Sequence, residues 1–225
     1  QAAHIVASFA LKTSRRGTRD LLIAYHTHKL LPIFVRVRDA SHGADGSRPI
    51  ELAFYGGTFT ALPERLQMEC LALAMQAKEK GIVCRVRCST RLIRSARIGC
   101  SIAHAGLDLV ELGIQSFHTE ALLEVQRGYN GDTAREGCRL IKESGLKLGI
   151  QLLPGMPGST PQRFSEDVEE ALAFSPSCLR FILSRRDGTP LAERWRMGRY
   201  APWELDTTIT TLGKALASAW ARRIP

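Results

Sequence analysis

Short apolar runs, separated by stretches of helical periodicity, recur along most of this chain of 225 residues. Runs of this length that are rich in branched apolar residues are typical of buried parallel strands. We predict five strands, which span residues 50–55, 82–89, 109–113, 146–153 and 178–183. Arg85 and Arg87 alternate within the second strand and predict one solvated face.

The intervals between these runs predict helices over residues 63–80, 119–126, 132–144, 161–174 and 203–221. Asp132 is the predicted N-cap of the third helix, and glycines follow the helix ends at Gly81 and Gly145. Strands that alternate with helices at this spacing form βαβ units, so the predicted fold class is α/β with a parallel sheet. No dinucleotide fingerprint or phosphate-loop lysine follows the first strand, which favours a partial TIM-like barrel.

The chain is predicted to divide into an atypical basic segment, residues 1–48, and a barrel domain, residues 49–225, whose C-terminus is expected to be truncated. Residues 1–48 hold eight Lys or Arg, three Asp and no Glu. The first residue is Gln rather than Met, so we expect the sequence to be a fragment.

The net charge is +9 and the pI is near 9.6. Arginines concentrate in residues 85–97 and 180–199, which fits either RNA and other anionic partners or an ordinary solvated surface. No apolar run approaches the roughly 20 residues of a membrane helix, and no signal peptide is recognisable. We therefore expect a cytoplasmic protein without a membrane partner.

Six cysteines occur, at positions 70, 84, 88, 100, 138 and 178. No two of them have the two-residue spacing of zinc or cluster sites. In a reducing cytoplasm they are expected to be free thiols, most of them buried. The spacing assigns no metal ligand.

Four ordered stretches resemble radical S-adenosylmethionine (SAM) enzymes, above all those similar to the Elongator catalytic subunit and oxygen-independent coproporphyrinogen oxidase. They are Glu51–Pro63 (ELAFYGGTFTALP), Leu109–Phe117 (LVELGIQSF), Arg127-Gly128-Tyr129 and Gly149–Thr160 (GIQLLPGMPGST). The resemblance implies a partial (β/α)6 barrel of the radical SAM type. It also implies a [4Fe–4S] cluster that reductively cleaves SAM to a 5′-deoxyadenosyl radical, a flavodoxin or ferredoxin as reductant, and tRNA or a small molecule as substrate.

The resemblance assigns several residues to the methionine end of SAM. Gly56 and Gly57 would receive the amino group through the backbone, since two residues without Cβ let a ligand approach closely. Thr58 stands where many relatives have a carboxylate. Arg127 would form a salt bridge with the SAM carboxylate, although it could equally pair with a helix C-terminus.

Other residues are assigned by resemblance to the remaining parts of SAM. Ser89 and Arg91 end the second predicted strand, beside the carboxylate or ribose. Gln115 and Ser116 end the third predicted strand, and Gln115 could instead cap a helix. Gln151, Pro154 and Gly155 would border ribose and adenine, or could belong to a plain loop. These strand ends are expected to converge on one mouth of the barrel.

One feature of the family is missing from this sequence. The three-cysteine motif, spaced three and then two residues apart, should precede Ile50, but residues 1–48 contain no cysteine. Cys84 and Cys88 lie in a later predicted strand and lack a third thiolate. We therefore expect this chain not to generate the radical, and the alternative function is a non-catalytic RNA (tRNA)-binding module. A shifted reading frame in the source gene would explain the loss, and resequencing tests that hypothesis.

Overall fold

The computed structural model describes residues 3–8, 50–55, 59–92, 105–183 and 190–225. Its strands are β1 (Ala3–Ser8), β2 (Ile50–Tyr55), β3 (Arg85–Thr90), β4 (Leu109–Gln115), β5 (Lys147–Leu152) and β6 (Cys178–Phe181). Its α-helices are α1 (Glu64–Glu79), α2 (Thr119–Glu124), α3 (Gly131–Glu143), α4 (Pro161–Ala173), α5 (Pro190–Arg196) and α6 (Leu205–Ala221). The strand order is β1-β2-β3-β4-β5-β6, and the β1–β2, β2–β3 and β5–β6 pairs are parallel.

Each of the five predicted strands and five predicted helices has a counterpart in the structure, with shifted ends. β3 begins at Arg85 rather than at residue 82, and β4 continues to Gln115. The predicted cap of α3 is wrong: the side chain of Asn130 accepts from the Thr133 N–H at 2.9 Å, and Asp132 lies inside the first turn. β1 and α5 were not predicted. The division at residues 48 and 49 stays a prediction.

Packing separates the chain into two units, and the first comprises residues 1–111 and 141–147. In it β2 pairs with β1 on one side and with β3 on the other, with Ala3 opposite Ile50 and Glu51 opposite Arg85. The buried face of α1 carries Cys70, Leu71, Ala74 and Ala77. Asp108 fixes the start of β3, since its carboxylate accepts from the Val86 N–H at 2.7 Å and from Lys78 at 2.9 Å.

The prediction that Arg85 and Arg87 share a solvated face is wrong for Arg87. Arg87 is buried, and its guanidinium lies 3.3 Å from Glu111 and 3.8 Å from Glu51. Arg85 is more exposed and lies 2.9 Å from Glu51. Glu111 itself is fully buried. The alternation therefore marks a row of buried ion pairs, because the adjacent strands carry the matching carboxylates.

The second unit comprises residues 112–140 and 148–225. β5 and β6 pair in register from Gly149–Cys178 to Leu152–Phe181. Thr160 caps α4, accepting from the Arg163 N–H at 3.1 Å, and Pro161 occupies the first turn, where its missing N–H costs nothing. α4 packs against α6, and Phe164 makes edge-on contacts with Phe181 and Trp203. No helix among the described residues is long and apolar enough to cross a membrane.

Candidate functional site

The carboxyl end of β4 is held by Arg127 and Tyr129. The Arg127 guanidinium donates to the Gly113 carbonyl at 3.0 Å and to the Tyr129 hydroxyl at 3.2 Å. The Tyr129 hydroxyl in turn lies 2.9 Å from the Gly113 carbonyl and 2.8 Å from that of Ile114. Within the described part of the chain, no carboxylate pairs with Arg127. A half-buried cation is thus fixed at a strand end with its positive charge uncompensated by these residues.

β4 ends in a sharp turn at Gln115. Its φ is 72°, a backbone conformation that residues other than glycine rarely adopt. The Gln115 carbonyl accepts from the Leu153 N–H at 2.9 Å. Ser116 follows it, is buried, and accepts from the His118 N–H at 3.0 Å. The role assigned to Gln115 stays a prediction.

Asp167 of α4 fixes this turn from the other side. Its carboxylate is 1% exposed and accepts from the Phe117 N–H at 2.6 Å, and the Ser116 hydroxyl also donates to it. Burial raises the pKa of Asp167 from 3.8 to about 6, while the hydrogen bonds from Phe117 and Ser116 act in the opposite direction. A buried carboxylate therefore couples α4 to the residues directly after Gln115.

The turn after β5 is held from the C-terminal part of the chain. Gln151 lies in β5 and is half-buried, Pro154 is buried, and Gly155 has a φ of 67°. The Tyr200 hydroxyl donates to the Gly155 carbonyl at 2.5 Å, and the Trp203 indole N–H donates to the Ser159 carbonyl at 3.3 Å. The turn is thus a fixed part of the second unit rather than a loosely tied loop.

Two of the predicted site residues lie at the end of β3, in the first unit. Ser89 is half-buried, and Arg91 is exposed directly after the last residue of the strand, Thr90. The Thr90 hydroxyl lies 2.5 Å from that of Thr60 and ties the strand end to the short 3₁₀ helix Phe59–Ala61. Arg91 is thereby placed beside a fixed strand end with its side chain in solvent.

Gly56, Gly57 and Thr58 lie outside the described residues, directly after β2. The structure brings Gln115, Ser116, Arg127, Pro154 and Gly155 into one unit, while Ser89 and Arg91 belong to the other. Convergence of all these strand ends on one mouth stays a prediction.

Three residues that hold this region were not singled out from the sequence as site residues. Tyr129 is the last residue of the Arg-Gly-Tyr triplet, in which the tyrosine was given no role from the sequence. Tyr200 lies between the predicted strand 178–183 and the predicted helix 203–221, in a stretch without a periodic pattern. Asp167 interrupts the apolar face of a predicted helix, next to Val168 and three residues after Phe164. A lone acid at such a position was the available signal, because a buried carboxylate requires hydrogen-bond donors.

Comparison with known proteins identifies the class to which this arrangement belongs. The family model described as the radical SAM superfamily matches residues 38–171, more than half of the chain. The chain belongs to the radical SAM superfamily, and the resemblance drawn from its motifs is confirmed.

Several curated proteins are similar to it. The chain is 28% identical over 197 residues to the tRNA uridine(34) acetyltransferase of Methanocaldococcus infernus, which covers 77% of this chain and 37% of that protein. It is 24% identical over 216 residues to human Elongator complex protein 3, covering 83% and 38%. It is 28% identical over 136 residues to oxygen-independent coproporphyrinogen III oxidase of Paracoccus denitrificans, covering 59% and 30%. The chain spans about half or less of the length of these relatives.

Two solved structures share the fold. The archaeal Elp3 of Methanocaldococcus infernus with an N-terminal deletion superposes with a TM-score of 0.73 at 23% identity, covering 95% of this chain and 54% of that one. Coproporphyrinogen III oxidase of Escherichia coli gives 0.60 at 17% identity, covering 91% and 47%. The fold is therefore the α/β partial barrel of the radical SAM type, as predicted.

The family implies SAM and a [4Fe–4S] cluster, and the described thiols do not fit the cluster. Three thiolates of one loop would be needed, whereas Cys70, Cys88 and Cys138 are buried on three separate elements, α1, β3 and α3. Cys84 is exposed but has only Cys88 nearby in sequence. Among the residues that the structure describes, no three His, Cys, Asp or Glu side chains are grouped to hold a metal.

Proposed function

We propose that this chain is a SAM-binding domain of the radical SAM superfamily that retains the SAM-facing half of the site and does not assemble the cluster. The observation that carries the first part is Arg127, a half-buried cation fixed to the end of β4 and without a carboxylate partner among the described residues. SAM brings the missing charge, because its methionine end carries a carboxylate. A charge-assisted hydrogen bond would form between the two groups.

The remaining residues fit the other parts of this zwitterionic ligand. The backbone of Gly56 and Gly57 would accept from the ammonium group, with Thr58 beside it. Gln115 and Ser116 form a turn whose shape Asp167 maintains, so that their polar groups have fixed positions.

The ribose and adenine would lie along two further strand ends. The side-chain amide of Gln151 would form a hydrogen bond with the ribose. Pro154 and Gly155 would form an apolar surface that the adenine ring can approach closely. Ser89 and Arg91 end β3 and would contact the ribose or the carboxylate.

Calorimetric titration with SAM tests the binding role. Arg127→Ala removes a hydrogen bond to a charged group, a contribution of about 1.5–3 kcal/mol, so we expect affinity to fall about tenfold or more. Gly57→Val places a branched side chain where the ligand would lie, and we expect no measurable binding. The matched control is Arg139→Ala, since Arg139 is exposed on α3 and pairs only with Glu136 at 2.9 Å among described carboxylates.

Thermal unfolding of each variant shows whether a loss of binding reflects a loss of fold, because Arg127 also donates to the Gly113 carbonyl. Equal affinities of wild type, Arg127→Ala and Gly57→Val would refute the assignment. A loss in Arg139→Ala equal to that in Arg127→Ala would refute the specific role of Arg127.

The second part of the proposal concerns the cluster. In this family three thiolates come from one loop, and this sequence carries no such motif. We expect anaerobic reconstitution with iron and sulfide to give well below four irons per chain and no 5′-deoxyadenosine with dithionite and SAM. Close to four irons with SAM cleavage would refute this part, and a flavodoxin or ferredoxin would then be the expected reductant.

A second candidate is a non-catalytic RNA-binding module, favoured by exposed arginines at positions 91, 196, 199 and 223. Relatives named as tRNA uridine(34) acetyltransferases make tRNA the probe to use. If these arginines contact the phosphates of tRNA, the affinity for tRNA should fall steeply as the salt concentration rises. Arg196→Glu with Arg199→Glu should weaken binding, and Arg139→Glu should not. Salt-independent or undetectable binding argues against this candidate.

The cytoplasm is the proposed location of either activity, because it keeps thiols such as exposed Cys84 reduced.

A further inference from the structure

Helix α6 has a buried face and, directly beside it, a row of exposed apolar side chains. Its inner face buries Thr211, Ala215 and Ala219, and α6 packs against α4 with an ion pair of 2.7 Å between Arg222 and Glu169. Its other face exposes four large apolar side chains, which we call the outer stripe. These are Leu205, Ile209, Leu216 and Trp220, exposed by 71%, 60%, 59% and 84%. Four large apolar side chains on one side of a helix form a contiguous exposed patch, and such a patch indicates an interface.

The spacing of the outer stripe is symmetric along the helix. Leu205 and Ile209 are separated by four residues, as are Leu216 and Trp220, and the midpoint lies at Leu212 and Gly213. Two copies of α6 packed antiparallel would therefore place Leu205 opposite Trp220, and Ile209 opposite Leu216, in both directions. Such self-complementarity is what a two-fold interface requires. Gly213 at the midpoint has open space around its Cα, which allows the two helices to approach closely.

The charges along α6 favour the same arrangement. Asp206 lies in the first turn, and Arg223 lies just beyond the end of the helix, after Arg222, which is paired with Glu169. An antiparallel pair sets the acid of one helix beside the basic end of the other, and it also opposes the two helix dipoles. A parallel pair would set like charges side by side.

We propose that the outer stripe binds a second copy of this chain, with the two α6 helices antiparallel about a two-fold axis. The interface involves one helix from each copy, so it lies at the small end of specific interfaces and dissociates readily. It does not depend on SAM, a cluster or RNA.

The test is sedimentation velocity of the 225-residue chain over roughly 1 µM to 1 mM, the range in which such contacts dissociate. Wild type should shift from monomer to dimer. Leu216→Lys should raise the dissociation constant at least tenfold. The matched control is Leu123→Lys, which makes the same change at a leucine of α2 exposed by 66% and should leave the equilibrium unchanged. Circular dichroism checks that both variants fold.

A charge exchange tests the antiparallel register. Asp206→Arg alone and Arg223→Asp alone should each weaken the dimer, because each places like charges together twice. An equimolar mixture of the two variants should restore dimerisation, since both contacts become attractive in the mixed dimer. Monomer at every concentration, equal effects of Leu216→Lys and Leu123→Lys, or a mixture no better than its components would overturn the proposal. A face covered only by another protein or by a further segment of a longer chain would give the first of these results.

Discussion

The buried carboxylate of Asp167 should make the free energy of unfolding depend on pH by a predictable amount. The folded pKa of this carboxylate is about 6 against 3.8 for the ordinary group, with burial as the leading cause. The folded protein therefore binds the proton more tightly than the unfolded chain does, so the contribution of Asp167 is greatest below pH 3.8. It is lost as the pH rises from about 4 to about 6 and is constant above that.

The size of this effect follows from the difference between the two pKa values. Each pH unit corresponds to about 1.4 kcal/mol, so the free energy of unfolding should lose about 3 kcal/mol through this group across the window. Asp167→Asn removes the titration and keeps an oxygen that can accept from the Phe117 N–H. Part of this effect is already lost at pH 4, so the difference in unfolding free energy between wild type and Asp167→Asn should change by about 2 kcal/mol in favour of the variant between pH 4 and pH 7.

The assay is urea denaturation of both proteins at several pH values in this range. The charges of His118 and Glu170 also act on this carboxylate. Glu170 is paired with Arg135, and Glu166 lies 3.2 Å from His118. The comparison is therefore repeated in the His118→Gln background, and Glu166→Gln serves as the exposed-carboxylate control. A difference that stays flat from pH 4 to pH 7 would refute the reasoning. A difference that changes in favour of wild type would mean that the hydrogen bonds outweigh burial.

Three further changes test local features. Tyr129→Phe leaves the Ile114 carbonyl without its hydroxyl donor and should lower the free energy of unfolding in urea by about 1–3 kcal/mol; an unchanged value would contradict this. Gly131→Ala would place a Cβ 2.0 Å from the Phe117 carbonyl oxygen, so we expect a lower melting temperature, and an equal one would show that the backbone relaxes freely. Exposed Cys84 should be alkylated in the native protein before buried Cys88 and Cys138, as read by peptide mass spectrometry; simultaneous labelling would contradict the burial.

From residue 50 onward, every strand and every helix except α5 could be predicted, because the strands are short apolar runs and the helices have a helical period. β1 could not, since Ala3–Ser8 is a run of six residues, half of them Ala or Ser, whose strand structure depends on pairing with β2. Strand propensity is set largely by such neighbours rather than by the residues themselves. α5 is a helix of seven residues, too short to show a period.

The candidate site residues were taken from strand ends, as at Gln115, or from the resemblance alone, as at Arg127, and their roles stay predictions. What holds these residues in place was harder to predict, because the partners are distant in sequence. Asp167 meets the Phe117 N–H across 50 residues, and Tyr200 meets the Gly155 carbonyl across 45. Neither pair leaves a local pattern, so each was visible in the sequence only as an isolated polar residue.

The burial of Arg87 was missed, although other residues of the sequence indicate it. Alternating arginines in a strand have the same two-residue period whether they face water or a buried ion pair, so the period alone favoured the wrong choice. The distinguishing residues are the lone acids Glu51 and Glu111, each inside an otherwise apolar run on another strand. A single charge in such a run is costly unless an opposite charge meets it, and the parallel sheet supplies Arg85 and Arg87 at that level. If the lone acids Glu51 and Glu111 had been assigned to the arginines of the neighbouring strand, the sequence would have predicted both the burial of Arg87 and its two partners.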